Sequence, residues 1–182
     1  RPIAGDLKAG QKFIDDLQPY IWRRYFDFAA IEDVHSMKRQ MHAVRGHAEI
    51  VAQGHNLKLG RGGIREIEFF VQTQQLIAGG RDPDLRGHRT VEMLSMLAAK
   101  DWISHDTATR LTASYSYLRP MEHRLQMRLD EQTQTLPKDD DGFAGFACFA
   151  GYQNTDAFAA DFIGHLKGVT AEYGQLFEQA ES

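Results

Sequence analysis

Apolar residues recur along this chain in steps of three and four, the spacing of helices that each bury one face. Asp6 is placed to cap a first helix carrying Leu7, Phe13, Ile14 and Leu17, with Pro19 closing it or opening the next at its first turn. From Tyr20 to Ile31, the aromatics Tyr20, Trp22, Tyr25, Phe26 and Phe28 are interrupted by Arg23, Arg24 and Asp27. No strand-like alternation appears there, so the segment reads as helix. Ala30, Val34, Met37, Met41, Val44, Ala48 and Val51 then form one continuous seam.

A break at Gly54 to Gly63 precedes a second seam of Ile64, Ile67, Val71, Gln74 and Ala78, which stops at Gly79-Gly80. Phe69 and Leu76 make its other side apolar as well, the pattern of a central, buried helix. Asp82-Pro83 signals a turn. Thr90 is the expected cap of a short helix carrying Val91, Leu94, Leu97 and Ala98. Asp106 is the expected start of a long one through Leu111, Tyr115, Leu118, Glu122, Leu125 and Leu129, kinked near Ser116 by Pro120. Leu136 to Gly142 reads as a solvated loop, followed by a short helix through Phe146 and Phe149. A last helix, capped by Asn154 or Thr155, carries Phe162, Leu166, Val169, Tyr173 and Leu176. No strand is left over. The pattern predicts an all-α bundle of about six to eight helices.

Composition narrows the function classes. The 182 residues carry 21 basic and 25 acidic side chains, a net charge of −4, which argues against a domain held on nucleic acid by phosphate neutralisation. A single cysteine excludes an internal disulfide and a multi-cysteine zinc site. No apolar run approaches the ~18 residues of a membrane span, so a soluble, cytoplasmic protein without a membrane partner is expected. The chain begins Arg1-Pro2-Ile3 without a methionine, which suggests one helical domain, residues 1–182, excised from a larger enzyme.

The segment richest in chemistry runs from Asn56 to Phe70. Gly60, Gly62 and Gly63 stand just before a helix, with Lys58, Arg61 and Arg65 around them and no acid before Glu66. Backbone amides at a helix start and full positive charges together make a phosphate cradle. The alternative is a connector whose helix end is merely solvated. The segment is neither a P-loop, lacking Gly-Lys-Ser/Thr, nor a dinucleotide fingerprint, lacking a preceding strand. Glu66 and Glu68 are two residues apart and point to different sides, so they form no acid/base pair and share no metal. Structural pairing is the favoured reading of Glu68, and of Glu122 on the apolar seam, where the spacing places Arg119, His123 and Arg124 on other faces. Eight histidines give no i, i+4 pair, and Asp139 to Gly142 fails as a calcium loop. Cys148 reads as a small core residue. No metal site and no self-contained catalytic set emerges.

Several motifs resemble the family of bifunctional glutamine synthetase adenylyltransferase/adenylyl-removing enzymes. They are Arg23 to Phe28, Asn56 to Phe69, Gln75 to Arg81, Glu122 to Gln126 and Asp130 to Pro137, in order along the chain. Pro120 departs from the family pattern. The resemblance implies a helical domain following a nucleotidyltransferase domain, and the wording of the glycine motif and of Gln132 to Pro137 is more similar to the amino-terminal, adenylyl-removing half. It implies an upstream catalytic domain holding the catalytic aspartates, glutamine synthetase and the PII signal protein as partners, and Mg2+ with ATP or ADP for the parent rather than for this chain. Its implied setting is a bacterial cytoplasm. Gly60 to Gly63 and Arg65 are then expected to face the upstream domain and help hold a phosphate. The rival reading is a non-enzymatic module binding PII through the aromatic stretch Tyr20 to Phe28.

Overall fold

A computed structural model describes residues 2–24, 33, 36, 50–129 and 133–178. Among these residues it contains six α-helices: α1 (Leu7–Ile21), α2 (Ile64–Ala78), α3 (Thr90–Ala99), α4 (His105–Leu129), α5 (Asp140–Phe149) and α6 (Thr155–Glu178). A 3-10 turn spans Pro83–Leu85. The all-α expectation holds; the extended pairing among the described residues is one bridge between Asn56 and Thr135. Ala30, Val34, Met37, Met41, Val44 and Ala48 of the long seam, the aromatics Tyr25, Phe26 and Phe28, and Asp130 to Gln132 lie outside the described residues.

The bundle is organised around α2, which packs on α3, α4 and α6, while α4 lies against α3 and α6. Its predicted seam is buried at every position, from Ile64 through Ile67, Val71 and Gln74 to Ala78. The same holds for Leu111, Leu118 and Leu125 on α4, and for Phe162, Leu166, Val169 and Tyr173 on α6. Such buried leucine and phenylalanine side chains contribute about 1.5–3 kcal/mol each. α5 joins through a ring cluster in which Phe158 meets Phe143, Phe146, Tyr152 and Phe162 at centroid distances of 5.2–5.8 Å.

Helix ends differ from the sequence reading where polar side chains compete for the cap. Asp6 caps α1 as expected, accepting from the Lys8 and Ala9 amides. α4 is capped by Ser104, whose Oγ accepts from Thr107 N at 3.0 Å, so Asp106 sits inside the first turn. Thr90 is the first helical residue of α3, after Arg89. Asp139 caps α5 through the Gly142 amide, which turns Asp140 and Asp141 from a loop into a helix start. Asn154, rather than Thr155, caps α6. Pro19 and Pro120 both lie within helices. Ser116 and Pro120 are both exposed.

Two burial expectations are corrected. Cys148 is exposed, because Phe143, Phe146 and Ala147 take the buried side of α5. α1 has no buried residue and exposes Leu7, Phe13, Tyr20 and Ile21. Gly79 and Gly80 do end α2, but for a steric reason: a Cβ there would strike the Trp22 ring and the Arg23 carbonyl.

Candidate functional site

The glycine segment is an elbow pinned to the chain after α4. Gly54 N donates to Pro137 O, Leu57 N to Gln134 O at 2.8 Å, and Leu136 N to His55 O at 2.8 Å. Asn56 then turns the chain: its Oδ1 accepts from the Lys58 and Leu59 amides at 3.1 and 2.7 Å. The amides beyond are spent in the same way. Gly60 N donates to Asn56 O, Gly63 N to Gly60 O, Ile64 N to Leu57 O, Arg65 N to Lys58 O and Glu66 N to Gly63 O. Gly62 N donates to the Glu66 carboxylate at 2.9 Å. Glu66 is buried and three residues into α2, so it occupies the position at the helix start that favours an anion.

The glycines have packing reasons. Gly62 has φ +74, and a Cβ on it would overlap the Leu166 carbonyl of α6. A Cβ on Gly60 would overlap the His55 ring, and one on Gly63 the Leu57 carbonyl. With the amides from Lys58 to Glu66 committed, that of Arg61 excepted, the elbow presents positive charge mainly through side chains. Arg61 and Arg65 are exposed, and Arg65 reaches Glu68 only at 3.8 Å with its side chain 47% exposed. An exposed pair at that distance contributes little to stability.

Glu122 is engaged elsewhere, on α4. Its carboxylate is buried and 2.5 Å from Arg119 Nη1, so Arg119 does reach it across one turn, at the i, i+3 spacing. The arginine also lies over the Tyr115 ring at 6.0 Å.

Sequence reading missed four polar groups. His55 is buried beneath the elbow, edge-on to Phe162 at 5.6 Å, and its Nε2 has no hydrogen-bond partner. Burial holds its pKa below the usual 6.5, outweighing the backbone carbonyls of Arg61 and Val51. A lowered folded pKa means the unfolded chain binds more protons. The stability from neutral His55 is therefore full above about pH 6.5 and is lost as pH falls toward the folded pKa. We expect the melting temperature to drop between pH 7.5 and 5.5, and to drop less in His55→Gln; equal drops would contradict this assignment.

Glu172 is also buried, bound by Arg110 at 2.6 Å and by Thr107 Oγ1 at 2.7 Å. Its signal was its place beside the α6 seam, next to Tyr173. Ser114, His165 and Asp161 form a third group: His165 Nδ1 is 3.1 Å from Ser114 Oγ, and Nε2 is 3.9 Å from Asp161. His165 stacks on Tyr117 at 4.2 Å, and Tyr152 donates to Asp161. Ser114 sits within α4, whose interior amides serve the helix, so no oxyanion donor stands beside it. This set staples α4 to α6. The fourth is the polar role of Gln74, whose buried position on α2 the seam did predict.

Among the described residues, no three carboxylate, histidine or cysteine groups converge on a metal site. Nor is any described helix long and apolar enough to cross a membrane.

Comparison with known proteins gives a consistent picture. A family model described as GlnD PII-uridylyltransferase matches residues 32–180. A bifunctional glutamine synthetase adenylyltransferase/adenylyl-removing enzyme of Mesorhizobium japonicum is 58% identical over 180 residues, 99% of this chain and 18% of the relative. Enzymes of the same name from Brucella melitensis and Bartonella quintana are 56% and 55% identical, over 99% and 100% of the chain and 18% and 19% of their own lengths. The chain thus spans less than a fifth of the relatives it matches.

Proposed function

The chain belongs to the GlnD PII-uridylyltransferase family, and from that premise we propose that it is a helical domain of a bifunctional glutamine synthetase adenylyltransferase/adenylyl-removing enzyme. Within that enzyme it serves the adenylyl-removing, phosphorolytic half and packs on an upstream nucleotidyltransferase domain. The observation that carries the reading is the 58% identity along 99% of the chain.

The chemistry of such an enzyme explains what a helical domain contributes. Nucleotidyl transfer is accelerated mainly by positioning and by neutralising negative charge. At the elbow, Arg61 and Arg65 are the groups placed to do this, because Glu66 and the backbone take the amides. Gly60, Gly62 and Gly63 act by letting the elbow close on His55 and α6, which fixes where the two arginines stand. On this reading the neighbouring domain supplies the metal, the catalytic carboxylates and the adenine nucleotide. The exposed apolar residues of α1 suit packing on that domain.

A second reading, a module that binds PII, is favoured by Tyr20, which is exposed with Arg23 over its ring at 5.3 Å. Saturable binding of PII by the chain, abolished by Tyr20→Ala, would select it. The primary reading is tested by incubating protein with adenylylated glutamine synthetase, phosphate and Mg2+. The full-length protein is expected to release ADP and the 182-residue chain none; release by the chain above a protein-free control would contradict it.

A further inference from the structure

A depression of about 270 Å3 lies between α2, the turn entering α4 and the last turns of α6. Phe70 and Gln74 line one side, Asp101 and Trp102 the turn side, and Thr107 and Glu172 the far wall. Two of its polar groups have no partner among the described residues. Gln74 lines it at only 8% exposure, and no hydrogen bond of its carboxamide is made among the described residues. Asp101 stands at the rim with φ 59, a conformation that side-chain-bearing residues seldom adopt, and its exposed carboxylate makes no ion pair among the described residues.

The charge of the depression selects its ligand. Glu172 is neutralised from behind by Arg110, whose Nε and Nη2 both lie 2.6 Å from Oε1, and its other oxygen accepts from Thr107. Ser104 already caps α4, so that helix start offers no anion site. Asp101 is left as the uncompensated charge, beside an indole that is 37% exposed. A carboxylate next to an aromatic face attracts a cation. We propose that this depression binds a small organic cation, a primary ammonium or guanidinium group on a short carbon chain. The cationic head lies between Asp101 and the Trp102 ring, the chain runs over Phe70, and a second polar group pairs with the Gln74 carboxamide. The inference is independent of the reading of the elbow.

The test uses the 15N-labelled 182-residue chain and agmatine as the probe, with 1-pentanol and acetate as the neutral and anionic controls. The chain has two tryptophans, so Trp22→Phe assigns the Trp102 indole resonance. Agmatine is expected to shift that resonance saturably, and the controls are not. Asp101→Asn should weaken binding about ten-fold, the factor that ~1.4 kcal/mol gives, while keeping the turn, because asparagine tolerates positive φ. Gln74→Met should also weaken binding with the helical signal and melting temperature retained. If Gln74→Met fails to fold, Asp101→Asn decides alone. No saturable shift, undiminished binding by Asp101→Asn, or an equal response to pentanol or acetate would overturn the proposal.

Discussion

Gly62→Ala is expected to destabilise the chain by about 3 kcal/mol or more, at the upper end for single substitutions. Gly62 has φ +74, which costs a non-glycine residue roughly 1–2 kcal/mol. The added Cβ would also overlap the Leu166 backbone carbonyl. That carbonyl is part of α6, so relief requires the helix to move rather than a side chain to swing away. For a chain of this size the loss corresponds to roughly 6–12 °C in melting temperature. Gly168→Ala is the internal control: it lies on the same helix, where a Cβ meets open space. It should raise stability by about 0.5–1 kcal/mol, as expected for glycine to alanine within a helix. Thermal unfolding of the two variants beside the parent checks both signs, and an unchanged melting temperature for Gly62→Ala would refute the close approach.

Phe158→Ala is expected to cost about 3–5 kcal/mol, the range for emptying a large aromatic site. Phe158 is fully buried and its ring touches four others, from α5, α6 and the turn between them. Four rings held by three backbone segments cannot all collapse into the space left, so a cavity term adds to the lost transfer energy. Urea unfolding should show a lower midpoint with an unchanged slope. A midpoint shift worth less than about 1 kcal/mol would show that the site repacks.

The helices of the core were legible because their apolar spacing is regular. Positions 64, 67, 71, 74 and 78 of α2 are buried as that spacing requires. Cys148 was misplaced because α5 is short and apolar nearly all round, so periodicity weakly selects between Ala147 and its neighbour. Caps were legible only where one candidate stood alone: Asp6 had no rival, whereas Ser104 and Asp106 compete two residues apart. The elbow was legible as a glycine-rich turn with positive side chains, but not in where its amides go. Most of their acceptors are backbone carbonyls, those of Asn56, Leu57, Lys58, Gly60 and Gly63, which any sequence possesses and only the folded turn aligns. Glu66, three residues into the helix, was the readable sign that the chain supplies its own anion there. His55 carries no signal of spacing, because its importance lies in what long-range packing places beside it; for Gln74 the spacing gave the burial but not the surroundings of its carboxamide.

Central to the proposed function is that Arg65 works by its charge rather than by holding the fold. Turnover and melting temperature of full-length Arg65→Ala, measured together with adenylylated glutamine synthetase and phosphate, test it directly. Arg65 is exposed and 3.8 Å from Glu68, so its loss should leave the melting temperature nearly intact. Turnover should fall ten-fold or more, since each ~1.4 kcal/mol of lost charge stabilisation is a factor of ten. Unchanged turnover with a lowered melting temperature would contradict the account and assign Arg65 to an interface instead.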